Sequence, residues 1–375
     1  MSRRCILLIG FNTQAYHFLE LVAISGEYPA EQISLALGEG RYKEKVIAEL
    51  KEHKLLKSYY KDQKRGYRVT KTGKRFLLDT NKERFSFYLE GNVDTNIRKS
   101  ELIRRQRLHY IAIVFTMMHQ AEITIFRDLK TDIFAPEYKA RQPPNSNFSA
   151  FYNSREIKAL GTPSVKIKNA RGIGTLFAAR KCFIVYYTGN FIMKWQYKSE
   201  LRLKAVISYC MYRCGLQNAA VDKIQSIMIG DTMEMAYTLM TSTGGYHHNY
   251  FTLDSTFEHM YFIPANQQGI TMLKILKQEE IKYEIYRILL VGLEANRLPG
   301  IPCHACTEDG KAVLFAFEFD MPAIVRFYRA VCIQKQEGVI ICFDFQKDVI
   351  QRYCSKNVTL QTIDYIKLER RFFGE

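Results

Sequence analysis

Residues 41–75 constrain this chain more than any other stretch. They read RYKEKVIAELKEHKLLKSYYKDQKRGYRVTKTGKR, with thirteen Lys/Arg against four Asp/Glu. That is a balance of +9 in a chain whose total is +16. An apolar pattern runs beneath the charge. Val46 and Leu50 are four apart, with Tyr42 and His53 flanking them, which predicts a helix over 41–53 with one narrow apolar face. Arg41, Glu44, Lys45 and Ala48 fall away from that face. Leu55 and Leu56 close against a core. Lys57–Lys61 reads as a strand, Asp62–Gly66 as turn chemistry and Tyr67–Thr70 as a returning strand. Thr72-Gly73-Lys74 opens another short helix. Charge this dense on a segment that also folds is what a nucleic-acid-binding module needs.

The residues before it complete an order of elements. Asn12 and Thr13 can cap a helix over 14–24, whose Ala15, Phe18, Leu19 and Val22 lie three or four apart. Gly26 stops it, and Pro29 suits the first turn of a second helix over 30–37. Helix, helix, basic helix and hairpin is the order of a winged helix, and YRVTKTGKRFLL resembles the wing exit of that superfamily. In that geometry the third helix reaches base edges and the hairpin reaches phosphates. The expected DNA contacts are Arg41, Lys43 and Lys45 on the helix, and Lys61, Lys64, Arg65, Arg68 and Lys71 on the hairpin and its exit. Arg104 and Arg105 extend the basic surface from a later helix. A solvated basic hairpin without a ligand, or a winged helix that binds protein, are the competing readings.

Composition sets outer bounds. The 375 residues and 47% apolar content suffice for two or three domains. No apolar run reaches the length of a membrane span, and the run at Ile6–Ile9 is too short for an export signal. Nine Cys at irregular spacing point to reduced thiols and a cytoplasmic location. Cys303-His304-Ala305-Cys306 is the one CxxC, with no second ligand pair at zinc spacing. Cys210 and Cys214 read as core thiols on a helix.

After the hairpin, a helix opening near Arg98 runs to about Gln120, and Ala121–Arg127 reads as a strand. Lys139–Asn147, with two prolines, reads as a linker. Beyond it strands alternate with helices: a hairpin over 174–190, a helix over 193–212, then strand-helix pairs at 223–241, 257–277, 313–334 and 338–354. That alternation predicts an α/β sheet, partly parallel. The expected domains are 1–90, a connecting segment 91–145, and 146–375.

No phosphate loop is present. A metal nuclease would need an acid followed by Glu-x-Lys on the next strand. Glu318-Phe319-Asp320, after Asp309, comes nearest, but Asp320 stands where the Lys belongs, and the two acids read equally as caps of the next helix. Glu156/Lys158 and Glu200/Lys204 are further acid–lysine pairs. His247, His248 and His259 form a loose histidine group. Trp195, among Lys194, Tyr197 and Lys198, could stack on bases or anchor a helix.

The layout resembles the replication-relaxation family of plasmids and integrative conjugative elements in Gram-positive bacteria. The likeness rests on the winged-helix pattern of about the first 110 residues, on the FAFEFD strand, and on YYTGNFIMKWQYKSELRLKA and YFIPANQQGI. It implies an α+β to α/β protein: an N-terminal winged helix-turn-helix, then a larger α/β domain with a mixed, nuclease-like sheet. It implies duplex DNA binding in replication, transfer or regulation of a mobile element. Candidate partners are double-stranded DNA, replication or conjugation proteins, and a second copy of the chain as a homodimer. No catalytic residue, metal or cofactor is assigned.

Overall fold

The computed structural model describes residues 9–91, 94, 100–131, 133, 148–158, 170–213, 224–296, 298–354 and 356–374. The chain divides into two compact units, 1–132 and 133–375. The linker expected at 139–147, and Cys214, lie outside the described residues.

In the first unit, α1 (Gln14–Ser25) begins where the Thr13 hydroxyl accepts the Tyr16 amide, and ends at Gly26, whose φ is +93°. It is buried nearly all round. Helices α3 (Tyr42–Glu52), α5 (Lys82–Leu89) and α6 (Leu102–Gln120) pack on it, so the narrow stripe read from Ala15 to Val22 understates its burial. The second helix starts as a 3₁₀ turn over Ala30–Gln32 and continues as α2 (Ile33–Leu37). Val46 and Leu50 seat α3, each stabilising by roughly 1.5–3 kcal/mol of burial.

Strands β2 (Leu56–Lys61) and β3 (Lys64–Val69) form an antiparallel hairpin, and β1 (Tyr28–Pro29) pairs with β3 on its other side. The turn is shorter than Asp62–Gly66: only Asp62 and Gln63 close it, both at positive φ, and Lys61 pairs with Lys64. Lys64 and Arg65 are therefore strand residues. Helix α4 (Lys71–Thr80) follows, capped by Thr70. Among the described residues, Ala121–Arg127 is not a strand of any of the three sheets and has one bridge residue, Thr124. A turn at Glu122 leads to extended chain and a 3₁₀ turn at Arg127–Leu129, although Ile123 and Ile125 are buried as a strand's would be. Helix α6 falls within the first compact unit.

The second unit has two mixed sheets where one was expected. The first joins β4 (Ala150–Asn153), β5 (Gly174–Ala178), β6 (Lys181–Gly189), β7 (Gln225–Gly230) and β8 (Met260–Pro264) in that order. The second orders β9 (Glu294–Ala295), β10 (Ala305–Cys306), β11 (Ala312–Phe315), β12 (Gly338–Phe343) and β13 (Val358–Ile363) the same way. In both, the first three strands are antiparallel and the last three parallel. The parallel strands β7 and β12 are buried throughout, as strands covered on both faces are.

Between the strands run α7 (Ser154–Lys158), α8 (Tyr197–Arg213), α9 (Glu234–Thr241), α10 (Gln267–Lys277) and α11 (Glu279–Leu289). The second half adds α12 (Met321–Gln334), α13 (Lys347–Tyr353) and α14 (Tyr365–Phe373). The two sheets meet where the Phe262 amide donates to the Phe319 carbonyl at 3.0 Å and Tyr261 bridges Asp320.

Candidate nucleic-acid interface

Helix α3 presents Arg41, Lys45 and Ala48 to solvent on the side away from Val46 and Leu50, as the periodicity requires. Arg41 is the residue just before the helix and its side chain caps nothing. Tyr42, expected to flank the apolar face, is half exposed at 51%. Lys43 is already engaged: its ammonium donates to Ser34 Oγ at 2.6 Å and to Glu39 at 3.2 Å, staking α3 to the end of α2. On the hairpin, Lys61 and Arg65 are exposed and Lys64 is half-buried. Tyr60 is exposed among them. Lys71 is exposed at the start of α4. The exposed cations thus gather on α3, the hairpin and the first turn of α4.

Two expected contacts are not on that surface. Arg105 is fully buried, with no accessible side-chain area. Its guanidinium donates to Glu27 at 2.7 Å, and to the carbonyl oxygens of Lys61 and Lys64, the residues that flank the turn. Arg68 has 11% of its side chain exposed and pairs with the same carboxylate from the other side, its Nε 2.7 Å from Oε2. His109 completes the node, 2.9 Å from Glu27 Oε1. Arg68 and Arg105 also lie over the Tyr59 ring, at 3.7 and 4.8 Å from its centre. These two arginines face Glu27 because an unpaired buried carboxylate is costly. Arg104, one residue earlier, is exposed and pairs with Glu101 at 2.9 Å.

Glu27 is the group that the reading of 41–75 missed. Burial pushes its carboxyl upward, but hydrogen bonds from His109 and Arg105 and the charge of Arg68 outweigh that and hold it down at about 2. Gly66 is required beside it for space rather than for a turn. A Cβ there would lie 2.2 Å from Glu27 Oε1.

The nuclease candidates in the second unit separate. Glu318 Oε2 lies 2.7 Å from the ammonium of Lys282 on α11, so a lysine does meet this carboxylate, from a helix instead of the strand. Glu318 also lies close enough to the Tyr286 hydroxyl to help, after burial, push that phenol up. Asp320 occupies the N-cap of α12 without capping it. Its oxygens accept instead from His259, at 2.6 Å, and from the Met260 amide. Asp309 is exposed beside Lys311. Glu156 accepts the Asn153 amide, and Glu200 accepts the Arg171 amide and the Tyr186 hydroxyl, so both are tied into local structure. The side chain of Lys158 lies outside the described residues, and Lys204 donates to the Thr256 carbonyl.

Trp195 is in the core, donating to Asp254 at 2.9 Å and packed against Tyr186 and Phe251. It anchors the chain leading into α8 and is not a stacking platform. His247 and His248 sit on an exposed turn. Burial and the neighbouring Cys306 push the Cys303 thiol up to about 11. Among the described residues, no group of three or more His, Cys, Asp or Glu is placed to hold a metal ion, and no helix is long and apolar enough to cross a membrane.

Comparison with protein-family models, with curated proteins and with solved structures finds no match to this chain.

Proposed function

We propose that the first unit is a winged helix that binds duplex DNA, and that the protein acts as a non-catalytic DNA-binding accessory. One observation carries this reading: a three-helix, three-stranded arrangement of order β1-β3-β2 gathers the exposed cations of α3 and the hairpin on its surface. In this reading Arg41 and Lys45 enter the major groove, and Lys61 and Arg65 reach phosphates beside it. Lys43 and Arg68 support the surface from within, Lys71 stands at its edge, and Arg105 leaves the contact set. Service to a mobile genetic element, in replication, transfer or regulation, rests on the sequence resemblance alone. Replication or conjugation partners rest on the same resemblance, and a cytoplasmic location rests on the cysteine usage.

Titration of the purified chain against short duplexes at several salt concentrations tests the proposal. Arg41→Ala should cost roughly 1–3 kcal/mol of discrimination between preferred and scrambled duplexes. Lys61→Ala should weaken all duplexes about equally and lower the salt slope by about one unit. If neither substitution alters affinity or slope, the surface is a solvated face.

A metal-dependent nuclease is the second reading, favoured by the Glu318–Lys282 pair. Against it, Asp320 is committed to His259 and Met260. Plasmid nicking with Mg²⁺ or Mn²⁺, lost in Glu318→Ala, would establish it.

A further inference from the structure

The outer parallel strands of the two sheets in the second unit differ. Strand β8 is buried throughout, and its Phe262 amide donates to the Phe319 carbonyl. Strand β13, among the described residues, pairs only with β12, and its Thr359, Gln361 and Thr362 are exposed. Its six residues, Val358 to Ile363, include no charge, no proline and no glycine. Edge strands are ordinarily blunted by such residues, because an unprotected edge is a template for another strand.

One bond fixes which groups the edge offers. The Asn357 carbonyl accepts the Gly338 amide at 2.9 Å. Backbone groups alternate sides along a strand, so the odd-numbered residues turn their N–H and C=O towards β12. Val358, Leu360 and Thr362 turn theirs outward. A second β13 arriving antiparallel about a twofold axis uses all three in one register only. Leu360 then stands opposite the partner's Leu360, and Val358 opposite the partner's Thr362. Pairs of this kind exchange both bonds, about six in all. Thr359 meets the partner's Gln361 in the alternate kind of pair, where side chains lie closer. The flanking charges also match. Lys356 and Asp364 each lie four residues from Leu360, so each lysine is brought to the end of the partner strand that carries the acid. Lys356 is exposed, and Asp364, although it caps α14, keeps 46% of its side chain exposed.

We propose that β13 is a self-association edge, where a second copy of this chain pairs antiparallel through Leu360 and joins two five-stranded sheets into one. Such a dimer carries two copies of the first unit, as recognition of paired half-sites requires. Neither the contact nor its test depends on the duplex reading.

Sedimentation of the full chain reads the association. At about 0.15 M salt, screening limits the reach of the chain's +16 charge to about 8 Å. Wild type should be dimeric at about 100 μM. Thr359→Lys/Gln361→Lys sets like charges opposite each other at both ends of the contact and should weaken the dimer about tenfold. Thr359→Lys/Gln361→Glu sets opposite charges there and should dimerise at least as tightly as wild type. Thr362→Pro removes an outward amide at an edge, where proline is tolerated, and should also weaken the dimer. The charge variants alter exposed residues only, so the monomer keeps its fold, and circular dichroism checks this. A wild type that stays monomeric overturns the contact and leaves the edge to an extended segment of another protein. A dimer of equal strength in all four proteins overturns it too, by placing the interface elsewhere. If the two charge variants are weakened alike, the register centred on Leu360 fails.

Discussion

Arg104 and Arg105 are neighbours on one helix with opposite surroundings. Arg104 is exposed, with Glu101 as its surface partner. Arg105 is buried between Glu27 and the two carbonyls that close the hairpin turn. The same contrast runs through the whole first unit. Lys61 and Arg65 put charge at the surface, and beneath them a node of Arg68, Arg105, His109 and Glu27 holds charge inside. A long cation at the surface is free to serve a ligand, whereas a buried one has been committed to the fold. The node sets where the hairpin stands, and the exposed cations inherit that position.

Arg105→Ala is the strongest way to break this contrast. It leaves a cavity, takes from Glu27 one of its two arginines and releases both turn carbonyls, and should cost about 3 kcal/mol in chemical denaturation. Arg104→Ala should cost about 0.5 kcal/mol or less. Equal losses at the two positions would mean that the node contributes no more than a surface pair.

Acid titration sharpens the same point. The Glu27 carboxyl is lowered in the folded protein from its ordinary 4.5 to about 2. A lowered carboxyl stabilises the fold above its unfolded value, and that stability disappears as pH falls through the folded value. The node should therefore contribute about 3 kcal/mol at neutral pH, lost between pH 4.5 and about 2. Glu27→Gln should be less stable at pH 7 and show a flatter dependence across that window. A wild-type acid limb unchanged by Glu27→Gln would disprove the assignment.

The fate of Arg105 was legible in the sequence. It lies three residues before Leu108 and seven before Ala112, both buried, so helical period puts it on the apolar side. Reading RRQR as one basic turn hid this. Its partner Glu27 could not be read, because 78 residues separate the two. Long, strongly patterned elements came through: α12 spans the predicted 321–334, and α3 and α10 fall within two residues of expectation. Helix α11 was missed despite Ile281 and Ile285 at helical spacing after two acids, and with it went Lys282, the residue that meets Glu318. Strand β13 was missed because it alternates exposed and half-buried positions on a sheet edge, with no buried run to mark it. The strand expected at 121–127 had real alternation, but it holds only a single bridge residue, Thr124, and joins none of the three described sheets.

The smallest expected effect lies at the hairpin tip. Asp62 and Gln63 close the turn at φ of +52° and +57°. A two-residue turn of this kind favours Asn-Gly or Asp-Gly, because both positions need left-handed backbone. Asp tolerates that region through its short polar side chain, and Gln does not share the advantage. Gln63 therefore carries about 1–2 kcal/mol of strain. Gln63→Gly removes the strain but loosens the unfolded chain by about 0.5–1 kcal/mol. The net gain should be about 0.5–1 kcal/mol, read from chemical denaturation. The node beneath holds the carbonyls of Lys61 and Lys64 in both proteins, so duplex affinity should change less than stability does. A loss of stability in Gln63→Gly would show that the turn is not held in this conformation. An unchanged stability with a large loss of affinity would move the tip's role from folding to contact, and with it the line between committed and free charge.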